Sequence, residues 1–462
     1  MWELGKKIIT KEISTNKDYS FRDILESKES EIVLCVGQVQ SGKTRKIIEI
    51  IKIAIDLEYN YIIFFGGNTN SLLNQTQDRL ERELVEFIHS EKLQISNAKN
   101  YEKSFNRNIP LLFNIIKNAK AIDNLRENIF EDIDLTDKKI LIIDDESDFG
   151  SINIGKSENK SSVLYGSIEK IFNRFYNPKL LKVTATPYGN ILNSNSMSLK
   201  IRKIFSWKPG DGYTGWKYFD DRKKDIYVTN LESDIDSNEN LQYAILRNSI
   251  ITHFIASYNL YYEQKDNSES KNINSDLLIN WFLETKKHEE IGRDCLKIIK
   301  AMQQIKDTFY DIYLKKLSID KDKFNEFVKK YTSEIEVIVL NSENQEIGNK
   351  TYKIIIGGHL LSRGNTFENL MVELFLNSPN EIINVDTLLQ RCRWFGYREE
   401  YRVKHMKILM DKKIFNALEN CENYINLFQE GQIQNISFVE SELRRIDKEL
   451  DLVRGTNSGK SK

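Results

Sequence analysis

The chain has 462 residues, 40% of them hydrophobic and 29% charged, with a formal net charge of −1 and a pI near 6.6. That length suits two or three domains with full cores, and the near-neutral charge excludes a globally basic nucleic-acid binder, so any such binding needs a local groove. Four scattered cysteines (Cys35, Cys295, Cys392, Cys421) form no CxxC pair, and no apolar leader or long apolar run occurs, so a reduced, cytoplasmic protein without a membrane partner is expected.

After a polar lead-in over residues 1–30, the apolar run Glu31–Val36 predicts a strand. A glycine turn follows, then a helix over Thr44–Leu57 with repeated isoleucines. A strand at Tyr61–Phe65 precedes a helix from Ser71 to His89, and the runs Ile140–Ile143 and Leu180–Thr184 end in acidic residues and in TATP. Short apolar runs alternating with helices predict a parallel sheet with crossover helices. The pattern returns with strands at Leu277–Phe282, Glu336–Leu340, Lys353–Ile356, Leu370–Phe375 and Lys407–Met410. Helices are expected over 286–315, 321–331, 381–395 and 413–428. The fold class is therefore α/β with two parallel-sheet lobes, at 31–195 and 275–412. An irregular inter-lobe segment spans 196–274, mostly loop as far as residue 240, and C-terminal helices with a disordered tail fill 413–462.

Gly37-Gln38-Val39-Gln40-Ser41-Gly42-Lys43-Thr44 fits GxxxxGK[ST] between a strand and a helix. The glycines let backbone N–H groups turn inward around phosphates, and the helix N-terminus adds a favourable dipole. Lys43 is placed to reach the β- and γ-phosphates, and the Thr44 hydroxyl to ligate Mg²⁺. Ile140–Ile143 runs into Asp144-Asp145-Glu146-Ser147-Asp148, a hydrophobic strand ending in DExD. Asp145 takes the metal role, Glu146 orients the attacking water, and Asp148 couples the site to the next motif. That motif is Thr184-Ala185-Thr186-Pro187, whose hydroxyls could bond the DExD segment.

The second lobe supplies Gly357-Gly358-His359-Leu360-Leu361-Ser362-Arg363-Gly364 and Gln390-Arg391-Cys392-Arg393-Trp394-Phe395-Gly396-Tyr397-Arg398. On a helix Gln390, Arg393 and Tyr397 share a face, with Gly396 ending the helix and Arg402 on the surface. Guanidinium groups suit a γ-phosphoryl transition state, although an amphipathic helix with solvated arginines would show the same pattern. Asn68, Thr69, Asn70, Gln75 and Gln77 follow the second strand and are candidates for sequence-indifferent backbone contacts to nucleic acid. Thr69 or Asn70 could equally cap the next helix. His405-Met406-Lys407 with Asp411 falls one residue short of HxKxxxxD, and a plain strand is the better reading. Tyr19 and Phe21 are candidates for stacking on a base.

GQVQSGKT, DESD, TATP, SRG and QRCRWFGYR, in that order, resemble the motifs of superfamily-two helicases. More narrowly, FFGGNTNSLLNQTQDRL, IIDDESD, TATPYGNIL, KPGDGYTGW, GGHLLSRGNTFENL and RWFGYR resemble the Z-one domain family over roughly residues 31–410. Those are ATPases found with DNA restriction and defence genes and often labelled endonucleases. The resemblance implies a P-loop NTPase of two RecA-like lobes that uses ATP and Mg²⁺. It implies Lys43, Thr44, Asp145 and Glu146 as the hydrolytic set, and Arg393 and Arg398 as arginine fingers, with the choice between them open. Gly37, Gln38, Ser41, Gly42, Gly364 and Gln390 would line the nucleotide, and Ser362 would join the nucleic-acid contacts. Asn365 and Thr366 depart from the apolar–Asp pair that usually follows the Arg-Gly. The implied function is a translocase or helicase-like motor on single- or double-stranded DNA in a bacterial restriction or antiphage system. A nuclease or methyltransferase subunit would be its partner. A nucleotide-gated switch and an endonuclease are the rival readings.

Overall fold

The computed structural model describes residues 20–67, 70–97, 109–148, 163–194, 198–231, 240–266, 272–281, 283–311, 319–341, 346–358, 361, 366–377, 385–428 and 433–449. The chain divides into two compact units. Residues 1–37, 42–208 and 428–443 make the first, and 38–41, 209–427 and 444–462 the second.

The first unit is built on β1 (Glu31–Gly37), β2 (Tyr61–Gly67), β3 (Gln94–Asn97), β4 (Leu111–Ile116), β5 (Ile140–Asp144), β6 (Lys179–Thr184) and β7 (Lys203–Trp207). Their order is β3-β4-β2-β5-β6-β1-β7, all parallel, and Ile433–Gln434 adds an antiparallel strand beyond β7. Every residue of β1, β5 and β6 is buried. Successive side chains of a strand point to opposite faces, so both faces of this sheet are covered, which is why its strands are mostly apolar, with Lys179 and Lys182 of β6 as buried exceptions. The helix Lys43–Asp56 buries Ile47, Ile48, Ile50, Ile51, Ala54 and Ile55. That face shares one core with Val33, Cys35, Ile62 and Phe64. A short helix, Phe21–Glu26, starts with a reciprocal Ser20–Asp23 capping box. Phe21 lies 4.5 Å from the Phe205 ring and 6.0 Å from that of Trp207, so it acts here as a packing residue; Tyr19 lies outside the described residues.

The second unit carries β8 (Tyr227–Val228), β9 (Ser275–Trp281), β10 (Ile335–Val339), β11 (Tyr352–Gly357), β12 (Leu370–Leu376) and β13 (Lys407–Met410). Their order is β10-β11-β9-β12-β13-β8, again all parallel. The helix Leu241–Asp266 belongs to the core with β9, β11 and β12.

Three expectations need correction. The stretch 195–240 is not mostly loop: it contains β7, β8, the strand pair Tyr213–Thr214 with Gly396–Tyr397, and helices Trp216–Asp220 and Lys223–Ile226. The helix expected over 381–395 is described only at Val385–Arg391, so Arg393 and Tyr397 do not share a helical face with Gln390. Gly396, at φ +131°, ends no helix and instead opens that strand pair. The third correction concerns Arg402, which is 3% exposed and donates to the carbonyls of Asn272 and Asn274, so it is no surface residue.

Candidate nucleotide site

In the first sheet β5, β6 and β1 are adjacent and parallel, so their C-terminal ends lie along one edge. The P-loop leaves β1 there, the DESD turn leaves β5 and TATP leaves β6. Ligands of open parallel sheets bind outside this edge.

Gly42 stands at φ +86° immediately before the helix Lys43–Asp56, a conformation that costs glycine little. A Cβ on Gly37 would come within 2.7 Å of the Lys43 Cγ and 3.0 Å of the Trp207 Cε3, so only glycine lets the lysine fold back over the loop. The Ser41 N–H donates to the Gln38 carbonyl at 3.2 Å, tightening the turn. Thr44 occupies the second position of the helix, where its amide has no partner inside the helix.

Asp145 sits close to this loop. Burial, aided by the neighbouring Glu146 charge, pushes its carboxyl up to about 6, while the Lys43 and Lys117 ammonium groups pull the other way. Glu146 adopts φ +49°, a left-handed conformation that costs a non-glycine residue about 1 kcal/mol. Thr184 donates from its hydroxyl to Asp148 at 2.7 Å and Thr186 to the other oxygen at 3.1 Å. The Ser147 N–H bonds the Val183 carbonyl at 2.9 Å, and Asn190 reaches the Ser147 hydroxyl at 3.2 Å. Asp148 thus ties the acidic turn to TATP, as its spacing suggested. The Thr44 hydroxyl and the Asp145 carboxylate are hard oxygen donors, a set that fits Mg²⁺.

Sequence reasoning missed Lys117. Its ammonium pairs with Asp144 at 2.7 Å and donates to the Asp145 and Glu146 carbonyls, both at 2.8 Å. Nothing in the local sequence marks it, because a lysine following an apolar strand is ordinarily solvated. Lys182 lies beside Asp144 in register, and burial pushes its ammonium down to about 8.

In the second unit Gln390 is buried on the helix Val385–Arg391. Arg391, also missed, is held there by four acceptors: the Asn280 side chain and carbonyl, the Leu376 carbonyl and the Asn377 side chain. Its guanidinium lies 4.2 Å from the Phe375 ring centre. Burial pushes the nearby Glu373 carboxyl up to about 8 despite three neighbouring arginines. Arg398 donates to the carbonyls of Phe367, Glu368, Arg393, Trp394 and Phe395. Arg393 is buried and donates to the Gln390 carbonyl at 3.3 Å. Ser362 and Gly364 lie outside the described residues, as do Asn68 and Thr69. Asn70 begins the helix Asn70–Glu83 and is exposed, as is Gln75, whereas Gln77 is engaged with Asn114 and Glu81. His405 pairs with Glu263 at 2.7 Å and Lys407 bonds the Asp225 carbonyl, so the near-miss HxK pattern is the turn and first residue of the strand Lys407–Met410.

Residues 245–444 match the family model of the Z1 domain. That stretch is therefore similar to the Z1 domain. Residues 8–189, upstream of it, match the type III restriction enzyme res subunit. A solved structure of the DUF1998 helicase MrfA bound to DNA and AMPPNP is similar at 12% identity and a TM-score of 0.50. The alignment covers 96% of this chain and 55% of that one. Dbp5 of S. cerevisiae bound to RNA and ADP BeF3 is similar at 12% identity and a TM-score of 0.38, over 92% of this chain and 91% of that chain. No curated protein gives a match. The chain therefore has a helicase-like fold of two RecA-like lobes, the first largely within the stretch similar to the restriction-enzyme res subunit and the second largely within the stretch similar to the Z1 domain. Among the described residues no helix is long and apolar enough to cross a membrane.

Proposed function

We propose that this chain hydrolyses ATP with Mg²⁺ and uses the energy to move along or remodel DNA, as the motor of a bacterial restriction or antiphage system. The observation that supports the hydrolytic part is the exit of the P-loop and of the Asp145–Glu146 turn from parallel strands at one edge of the sheet, with the Lys43 charge acting on Asp145. Lys43 neutralises the β- and γ-phosphates, and backbone N–H groups of the loop cradle them. Thr44 and Asp145 would hold Mg²⁺, which supplies charge neutralisation at the phosphates. Glu146 accepts a hydrogen bond from the attacking water, and Asp148 passes the state of the turn to Thr184 and Thr186. Arg393 is our candidate for stabilising charge on the transferred phosphoryl group, with Arg398 the alternative. MrfA was captured with DNA and a nucleotide analogue, which makes DNA the first nucleic acid to try; Asn70 and Gln75 are exposed candidates for its backbone.

The test is steady-state hydrolysis with and without single- and double-stranded DNA, together with displacement of a protein roadblock. Lys43→Ala is expected to weaken nucleotide binding and abolish turnover. Glu146→Gln should bind ATP·Mg²⁺ normally and turn over very slowly. Parental turnover in either folded variant removes the hydrolytic assignment. Hydrolysis that never displaces a roadblock leaves a nucleotide-gated switch, and metal-dependent DNA cleavage that survives Lys43→Ala would favour a nuclease.

A further inference from the structure

Lys117 stands just past the end of β4, yet its ammonium works at the end of β5, with β2 between them. Its own main chain is tied to the end of β2, where the Lys117 N–H bonds the Gly67 carbonyl at 2.8 Å. An ammonium has three protons. Those of Lys117 face three acceptors, the Asp144 carboxylate at 2.7 Å and the Asp145 and Glu146 carbonyls at 2.8 Å each. Two of those acceptors are the main-chain oxygens of the candidate metal ligand and of the candidate water-orienting residue.

The backbone they belong to is under strain. Glu146 is held at φ +49°, which an L residue with a long side chain leaves unless the surroundings fix it. Charge-assisted hydrogen bonds to both adjacent carbonyls are what can fix it, because together they set the orientation of the two peptide planes of the turn. Asp144, fully buried, holds the ammonium in place through the ion pair.

We propose that Lys117 is the positioning residue of the hydrolytic turn: by gripping the Asp145 and Glu146 carbonyls it aims the Glu146 carboxylate at the attacking water. The proposal rests on the ATP-hydrolysis reading above. In this role Lys117 acts through the main chain of the turn.

The experiment separates positioning from support of the fold. Lys117→Met alone strands the buried Asp144 carboxylate, and such a loss can unfold a domain. The decisive protein is therefore the double variant Lys117→Met/Asp144→Asn, which removes both charges with near-isosteric groups. Melting temperature, nucleotide affinity, KM and kcat are measured beside the parent and Glu146→Gln. The expected result is a melting temperature and nucleotide affinity near the parent's, with kcat lowered about 10²-fold, the usual effect of misplacing a catalytic group by about 1 Å. If the double variant melts like the parent and also turns over like it, the lysine only balances a buried charge and the proposal is overturned. A double variant that stays unfolded likewise makes Lys117 a residue of the fold and overturns it. If the parent itself shows no turnover above Glu146→Gln, the hydrolytic reading fails, and the positioning role fails with it.

Discussion

Arg398 and Arg393 stand five residues apart but are held in different ways. The Arg398 guanidinium answers five main-chain carbonyls, so Arg398→Ala leaves several buried acceptors without donors. A loss of about 3 kcal/mol or more is expected, read as a lower denaturation midpoint. Arg393→Ala should cost turnover on the order of 10³–10⁵ if it is a true arginine finger, with nucleotide affinity kept. Arg293, exposed on the second unit, is the control and should behave as parent. Equal turnover in Arg393→Ala and Arg293→Ala would strip Arg393 of its role. His253 supplies a different test. It is buried between the Tyr331 hydroxyl and the Ser275 hydroxyl, at 2.8 Å each, and burial pushes its imidazole down to about 3. The unfolded chain then binds a proton that the folded one refuses between about pH 6.5 and pH 3. Stability from this group is complete above pH 6.5 and is lost as pH falls, by at most about 1.4 kcal/mol per pH unit. His253→Asn should flatten that acid limb in a denaturation series; an unchanged slope would show that other groups set it.

Strands that cross a doubly covered sheet leave the clearest trace in sequence, and the elements here follow that rule. Ile140–Asp144 and Leu370–Leu376 are buried throughout and stand out as apolar runs, the first ending in Asp144 and the second carrying one charged residue, Glu373. The P-loop and the acidic turn are legible for the same reason, since each follows directly on such a run. The helix Leu241–Asp266 is not legible as an amphipathic helix. Its buried residues, among them Leu246, Ile250, Phe254, Ala256, Tyr258 and Leu260, fall on several faces, so the helical period is washed out. The arginine segment misled for a complementary reason: a spacing of three and seven suits a helix, but the chain leaves the helix at Arg391 and carries Gly396–Tyr397 into a strand. Lys117 and Arg391 were invisible because their partners come from strands far away in sequence. The long helix predicts its own importance. Phe254 touches the rings of Phe309, Phe324, Phe327 and Tyr331 at centroid distances of 5.2–5.9 Å. Phe254→Ala should cost about 3–5 kcal/mol, measured by denaturant unfolding, and a loss below about 1 kcal/mol would mean the cluster repacks freely.

At the scale of the whole molecule, the chain leaves its first unit after Lys208 and returns to it only at Phe428. The returning segment covers the edge of β7 through Ile433–Gln434, and Phe428 lies 6.1 Å from the Tyr188 ring. Ribosomal synthesis runs at about 5–20 residues per second, so the roughly 220 residues between β7 and its covering strand take on the order of 10–45 s to appear. Throughout that interval the nascent first unit offers β7 as a bare sheet edge, an open template for a neighbouring chain on the same polysome. Folding yield in the cell should therefore depend on how fast the second half is translated and on how well a chaperone shields one strand during the wait.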